Sequence, residues 1–200
     1  MTIPDRLQGR LTGYVEAVAA LDLDASAVVL DLLEQVRASG STLYVCGNGG
    51  SASSASHFVT DLVKATMLDG VEPLRAFSLG DNPALLTALA NDLAYDRVFA
   101  EPLRAYARPG DVLVVVTASG NSPNVVQALE AARDLGLRTV ALTGFSGGAA
   151  RELADVVIHV PVDDYGVVEC AHSVIMHILA FTLRERLEEG LGLTTASARA

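Results

Sequence analysis

Apolar positions along the chain fall into two regimes. In the first forty residues they recur at helical spacing: Leu7, Leu11, Tyr14, Val15 and Val18, then Val28, Val29, Leu32, Leu33 and Val36. This predicts two helices, spanning about 4–38. Asp24 or Ser26 is placed to cap the second, and Gly40 to end it. After that, short apolar runs alternate with amphipathic stretches. Strands are predicted at 42–46, 74–78, 111–117, 138–143 and 156–160, with 111–117 the strongest. Helices are predicted at about 51–65, 83–90, 96–107 and 123–135, briefly from 149, and at 168–188, with Gly190 as the last one's stop. Pro123 suits the first turn of its helix.

Strands alternating with helices predict an α/β fold: a three-layer, doubly wound sheet of about five parallel strands flanked by helices. The whole chain, 1–200, reads as one domain, because no linker, low-complexity tract or repeat divides it. The first helix lies outside the alternation and is expected to serve a partner chain. In open parallel sheets ligands bind beyond the carboxyl ends of the strands, which directs attention to the loops there.

Two such loops are rich in glycine and hydroxyls. Gly47-Asn48-Gly49-Gly50-Ser51-Ala52-Ser53-Ser54 leaves the first strand and opens a helix. Glycines allow close backbone approach, and the helix start offers free N–H groups with a partial positive charge. Thr117-Ala118-Ser119-Gly120-Asn121-Ser122-Pro123-Asn124 repeats the arrangement after the third strand. Each loop alone reads equally as a capped turn. As a pair they suit a phosphomonoester on a neutral body, with Thr117, Ser119 and Ser122 as a hydroxyl cradle. Neither matches a P-loop or a dinucleotide fingerprint.

Charge and composition narrow the function. Half the residues are hydrophobic, 19% are charged and the net charge is −10. A balance this acidic opposes non-specific nucleic-acid binding, and no Lys/Arg run offsets it. A phosphate ligand would need a local trap. Cys46 and Cys170 stand apart in apolar contexts and read as two buried thiols. There is no signal-peptide pattern and no uninterrupted apolar run of membrane-spanning length. A cytoplasmic protein without membrane contact is the expectation.

The motifs Cys46 to Ala52, Ser56-His57-Phe58, Asn91-Asp92, Ser119 to Asn124 and Leu142-Thr143-Gly144 occur in this order. Together they resemble the sugar isomerase (SIS) family, most closely its phosphoheptose isomerase branch, from about Thr42 to Arg184. The resemblance implies a homotetramer, or dimer, with sites between subunits. It implies phosphate on Ser119–Ser122, sugar contacts at Asn48, Gly49, Gly50, Asn91 and Asp92, and further substrate-binding positions at Ser51, Thr117, Ala118 and Glu169. It also implies one zinc ion on His57, Asp61, Glu169 and His177.

The implied reaction is aldose–ketose isomerisation of a sugar phosphate, such as sedoheptulose 7-phosphate, through an enediol. Asp61 or Glu169 would be the base, and His177 the acid or a metal ligand. Three positions depart from the family pattern: Asp61 replaces a glutamate, Glu169 a glutamine and Ala118 a threonine. These departures favour the alternative of a non-catalytic phosphosugar-binding regulator of the replication-initiator-associating type, or a different sugar phosphate. The retained His57 and His177 favour the enzyme.

From the residues alone, His57 and Asp61 share one helix face at a spacing of four, which suits either a metal pair or a core histidine beside an acid. Glu169 and His177, eight apart, would stand ~12 Å apart along a regular helix. Either Glu169 precedes the helix or another subunit supplies a ligand. His172, one turn from Glu169, is a rival ligand, and His159 reads as structural.

Overall fold

The computed structural model describes residues 2–192. Helices α1 (Ile3–Ala19) and α2 (Leu23–Ser39) precede β1 (Thr42–Gly47), α3 (Gly50–Thr66), β2 (Arg75–Ser78) and α4 (Pro83–Asp92). A short 3₁₀ turn (Tyr95–Arg97), α5 (Ala100–Tyr106), β3 (Val112–Thr117), α6 (Pro123–Asp134) and β4 (Arg138–Gly144) follow. The chain closes with α7 (Gly148–Leu153), β5 (Val156–Val160) and α8 (Tyr165–Gly190). The helix expected over 96–107 is thus divided in two.

All five strands are parallel, in the order β2-β1-β3-β4-β5. The chain moves from β1 to β2 on one side, then returns to place β3 on the other. The switch point therefore lies between β1 and β3. A crevice opens there beyond the strand ends, at the place where open α/β sheets bind ligands.

The strand residues explain the two-sided sheet. Successive side chains alternate between faces. Leu43, Val45, Val112, Val114 and Val116 join one core with α2, α3 and α8. Tyr44, Cys46, Leu113 and Val115 join the other, with α5 and α6. Burial on both faces accounts for apolar runs without alternation.

Three local expectations change. Asp22 caps α2, its Oδ1 accepting from the Ala25 N–H at 2.9 Å, in place of Asp24 or Ser26. Its carboxylate sits just outside the first turn, where the free N–H groups are. Cys46 is buried, which pushes its thiol pKa up, whereas Cys170 is only half-buried. Helix α8 begins at Tyr165, so Glu169 lies inside it and does not precede it. By length and composition α8 is apolar enough to cross a membrane. Glu169, His172 and His177 interrupt it, and Val168, Ala171, Ile175, Leu179 and Leu183 pack into the sheet core. Gly40 ends α2 in the left-handed conformation, as expected.

On α1, Ile3, Leu7, Leu11 and Val15 are all exposed. Their spacing of four makes an apolar stripe on the outer face.

Candidate active site

The two loops stand side by side because β1 and β3 are paired neighbours, with Gly47 opposite Val116. A reciprocal amide pair joins them. Asn48 Nδ2 donates to Asn124 Oδ1 at 2.9 Å, and Asn124 Nδ2 donates to Asn48 Oδ1 at 2.8 Å. The Tyr95 hydroxyl also donates to Asn48 Oδ1, at 3.1 Å. Asn124 is buried, so this pairing satisfies polar groups that would otherwise be costly. Asn48 is thus committed to bracing the loops. Tyr95 and Asn124 were not singled out from the sequence; Asn124 lay within the quoted motif without a distinguishing signal.

The second loop is tightly turned. Gly120 has φ of +69°, and a Cβ there would collide with the Gly147 carbonyl. The Thr117 hydroxyl accepts from the Gly120 N–H at 3.2 Å, and Ser119 Oγ from the Asn121 N–H at 3.3 Å. Asn121 ties the loop to α7, its Oδ1 accepting from the Ala149 N–H at 3.0 Å. Ser122 holds the N-cap position of α6, but its side chain makes no capping bond. Its hydroxyl and the Asn124 N–H are left for a ligand, since Pro123 has no N–H and the Val125 N–H donates to the Ser122 carbonyl at 3.0 Å. Thr117 and Ala118 are buried, and Ser119 and Ser122 half-buried.

The first loop differs. Helix α3 starts at Gly50, also without a side-chain cap. The Glu169 carboxylate stands against it: a Cβ on Gly50 would lie 2.5 and 2.6 Å from its two oxygens. A carboxylate here disfavours a phosphate and favours hydroxyl groups. Gly49 and Gly50 are exposed and Ser51 is buried.

Helices α3 and α8 run parallel. Gly50 faces Glu169, Ser54 Oγ lies 3.4 Å from Ser173 Oγ, and Asp61 faces His177. Asp61 Oδ2 is 2.9 Å from His177 Nδ1 and 3.4 Å from His57 Nε2. The donor atoms of His57, Asp61 and His177 all lie within 4.8 Å of one another. Two imidazoles and a carboxylate form a donor set that suits zinc, and three protein ligands leave a position open, as in catalytic zinc sites. Glu169 is outside this group, as the eight-residue spacing on a regular helix requires.

His172 is fully buried. Its Nε2 lies 3.2 Å from the Thr143 carbonyl, and its Nδ1 has no partner among the described residues. Burial pulls its pKa down to about 4. This core position sets it apart from the histidine–aspartate group. His159 Nδ1 meets the Thr143 hydroxyl at 3.0 Å, a structural contact, and its pKa is lowered by burial and by Arg151. Asn91 and Asp92 are exposed at the end of α4, where Asn91 Nδ2 donates to Asp92 Oδ1 at 2.8 Å. They make no hydrogen bond to the first loop; Tyr95, three residues beyond Asp92, does.

Fold and site together define a class: a parallel α/β protein whose paired serine–glycine loops flank the switch point beside a histidine–aspartate group. Comparison with known proteins makes this specific. The SIS domain model matches residues 10–144, and the chain belongs to that family. A phosphoheptose isomerase of Mycobacterium tuberculosis is 43% identical over 158 residues, 79% of this chain and 80% of that protein. One from Geobacter sp. (strain M21) is 39% identical over 181 residues, 90% and 88% of the two chains. The solved phosphoheptose isomerase of Neisseria gonorrhoeae superposes with a TM-score of 0.85 at 29% identity, covering 92% of this chain and all of that one.

Proposed function

We propose that the chain isomerises sedoheptulose 7-phosphate to the corresponding aldose phosphate. The class of activity follows from relatives at 38–43% identity over most of the chain: it is a phosphosugar isomerase. The observation that carries the ligand assignment is the asymmetry of the loops. The second loop presents the uncommitted Ser122 hydroxyl and the Asn124 N–H with no carboxylate among its hydrogen-bond partners, so it takes the phosphate. The first loop, faced by Glu169, takes the sugar hydroxyls.

His57, Asp61 and His177 would hold one zinc ion per subunit. Bound there, zinc supplies Lewis-acid stabilisation of developing negative charge on oxygen. The residues themselves bind and move protons. Ser119 and Ser122 fix the phosphate, so that remote binding energy orients the reacting carbons. Asp61, Glu169 and His177 are the acid–base candidates for carrying a proton between C1 and C2.

Self-association as a homotetramer, or dimer, belongs to the same proposal. It is supported by the exposed stripe on α1, which would be buried between copies. Free thiols suit a reducing compartment, and we place the enzyme in the cytoplasm.

The test is elemental analysis of the purified protein paired with sedoheptulose 7-phosphate turnover, with and without a chelator. One zinc per subunit and chelator-sensitive turnover are expected. Tight phosphosugar binding with neither metal nor turnover would replace the enzyme by a regulatory binder. In Asp61→Asn, metal content should fall below about a tenth of wild type, since one of only three donors loses its charge.

A further inference from the structure

We propose that Phe145 and Tyr165 form an aromatic wall beside the second loop, against which the carbon skeleton of the sugar phosphate packs by its C–H face. The proposal rests on the phosphosugar reading above. It adds a contact for the sugar's carbons, where the loops supply contacts only for phosphate and hydroxyls.

Two features single out Phe145. Its φ is +51°, and among the described residues it alone has a positive φ without being glycine. A bulky side chain there strains the backbone, and such strain collects at ligand sites. The second feature is position. Phe145 follows β4, whose last residue, Gly144, donates its N–H to the Ala118 carbonyl of the second loop at 2.9 Å. Phe145 donates its own N–H to the Val162 carbonyl at 3.3 Å. The ring is thereby held next to the loop, beyond the carboxyl end of the strand.

Tyr165 opens α8 and is 61% exposed. Its ring centroid lies 4.8 Å from that of Phe145, with the planes tilted by 55°. The helix fixes where it stands. Residues three and four apart share a helix face, so Tyr165 is one turn above Val168 and Glu169. Val168 packs on Gly144, where a Cβ would lie 2.5 and 2.6 Å from its two methyls. Glu169 stands against Gly50 of the first loop. Tyr165 therefore overlooks the rim between the end of β4 and the first loop. All these contacts lie within one chain, so the wall borders the second loop whichever subunit supplies the reacting groups.

The chemistry of the pair suits carbon and not phosphate. An aromatic face is electron-rich and offers an anion no donor, but it accepts polarised C–H groups. A sugar laid on it removes apolar area from water while its hydroxyls stay turned to the loops. Place separates this pair from the apolar stripe on α1. The stripe lies on the outer face of the molecule; the pair lies at the strand ends, where open α/β sheets take ligands.

The test uses the full chain. Calorimetry measures affinity for sedoheptulose 7-phosphate and for inorganic phosphate, turnover gives KM and kcat, and light scattering gives the subunit number. Tyr165→Ser should bind sedoheptulose 7-phosphate about tenfold more weakly than wild type. Inorganic phosphate should bind within about twofold of wild type, because it touches only the second loop. KM should rise by the same factor as the affinity falls, with kcat within about threefold, as a contact made equally in ground and transition states requires. Phe145→Leu keeps the apolar packing and loses the flat face, and should cost about threefold in affinity. Tyr165→Phe should recover the affinity, since the ring and not the hydroxyl makes the contact. Unchanged sugar phosphate affinity in Tyr165→Ser would overturn the wall. So would a matching loss of inorganic phosphate, which would place the effect on the second loop. A smaller subunit number in the variant would make the pair a contact between copies and overturn the wall as well. Wild type that binds sedoheptulose 7-phosphate no more tightly than inorganic phosphate would leave the sugar without any contact and have the same consequence. Wild-type turnover judges the isomerase reading separately; affinity judges the wall with or without it.

Discussion

The two loops of the crevice are built from the same parts and end in different surroundings. Each follows a buried parallel strand, turns on glycine and opens a helix that lacks a side-chain cap. The first is overlooked by a carboxylate from α8, and its asparagine is tied up by Asn124 and Tyr95. The second faces no acid among its hydrogen-bond partners and keeps the Ser122 hydroxyl uncommitted. Anion binding at a helix start therefore depends on what tertiary packing brings there, since a nearby carboxylate competes for the same partial positive charge. The proposed function divides the labour accordingly: phosphate on the second loop, sugar hydroxyls on the first.

That division can be broken in several ways. Gly120→Ala has the largest expected effect. A Cβ at φ of +69° meets the Gly147 carbonyl, and strain plus overlap should cost about 3 kcal/mol or more. A drop of more than about 5 °C in Tm, with loss of phosphosugar binding, checks this; an unchanged Tm would show that the second loop is not tightly built.

Asn124→Ala tests the brace between the loops. It leaves the Asn48 Nδ2 donor unpaired in a half-buried site, while Oδ1 keeps the Tyr95 hydroxyl, at a cost of about 2 kcal/mol. Substrate affinity should fall about tenfold as the loops lose register. Equal stability and affinity in the variant would mean that the loops hold their spacing without the amide pair.

A smaller effect is expected from pH acting beneath the second loop, where the His172 ring meets the Thr143 carbonyl. Burial lowers its pKa from 6.5 to about 4 in the folded protein. The unfolded chain therefore takes up a proton from pH 6.5 downward while the folded chain does not. This contribution to stability is complete above pH 6.5 and is lost as pH falls toward 4. Between pH 7 and 5 the loss is about 2 kcal/mol. Denaturant midpoints at the two pH values measure it, and His172→Gln should remove that share of the slope. An identical slope in the variant would place the titration elsewhere.

Much of this was legible in the sequence because it is local or periodic. The five strands, the α3 and α6 starts and the pairing of His57 with Asp61 follow from hydrophobic runs, glycines and a spacing of four. Strand ends marked both loops. What the sequence could not give are contacts between distant segments. Asn124 meets Asn48 across 76 positions, and the 3₁₀ turn that carries Tyr95 toward the loop has no periodic signature. The α2 cap was misplaced because Asp22, Asp24 and Ser26 are all good N-caps and tertiary packing selects among them. His172 and His177 are equally plausible ligands by composition; only the α8 face pointing at α3 separates them.

The most direct measurement is calorimetric titration of sedoheptulose 7-phosphate into wild type, the Ser119→Ala/Ser122→Ala double variant and Ser51→Ala. The account predicts about a 100-fold loss of affinity in the double variant, from two lost hydrogen bonds to a charged group. It predicts little change in Ser51→Ala. A loss confined to Ser51→Ala, with the double variant binding like wild type, would put the phosphate on the first loop and contradict the division of labour.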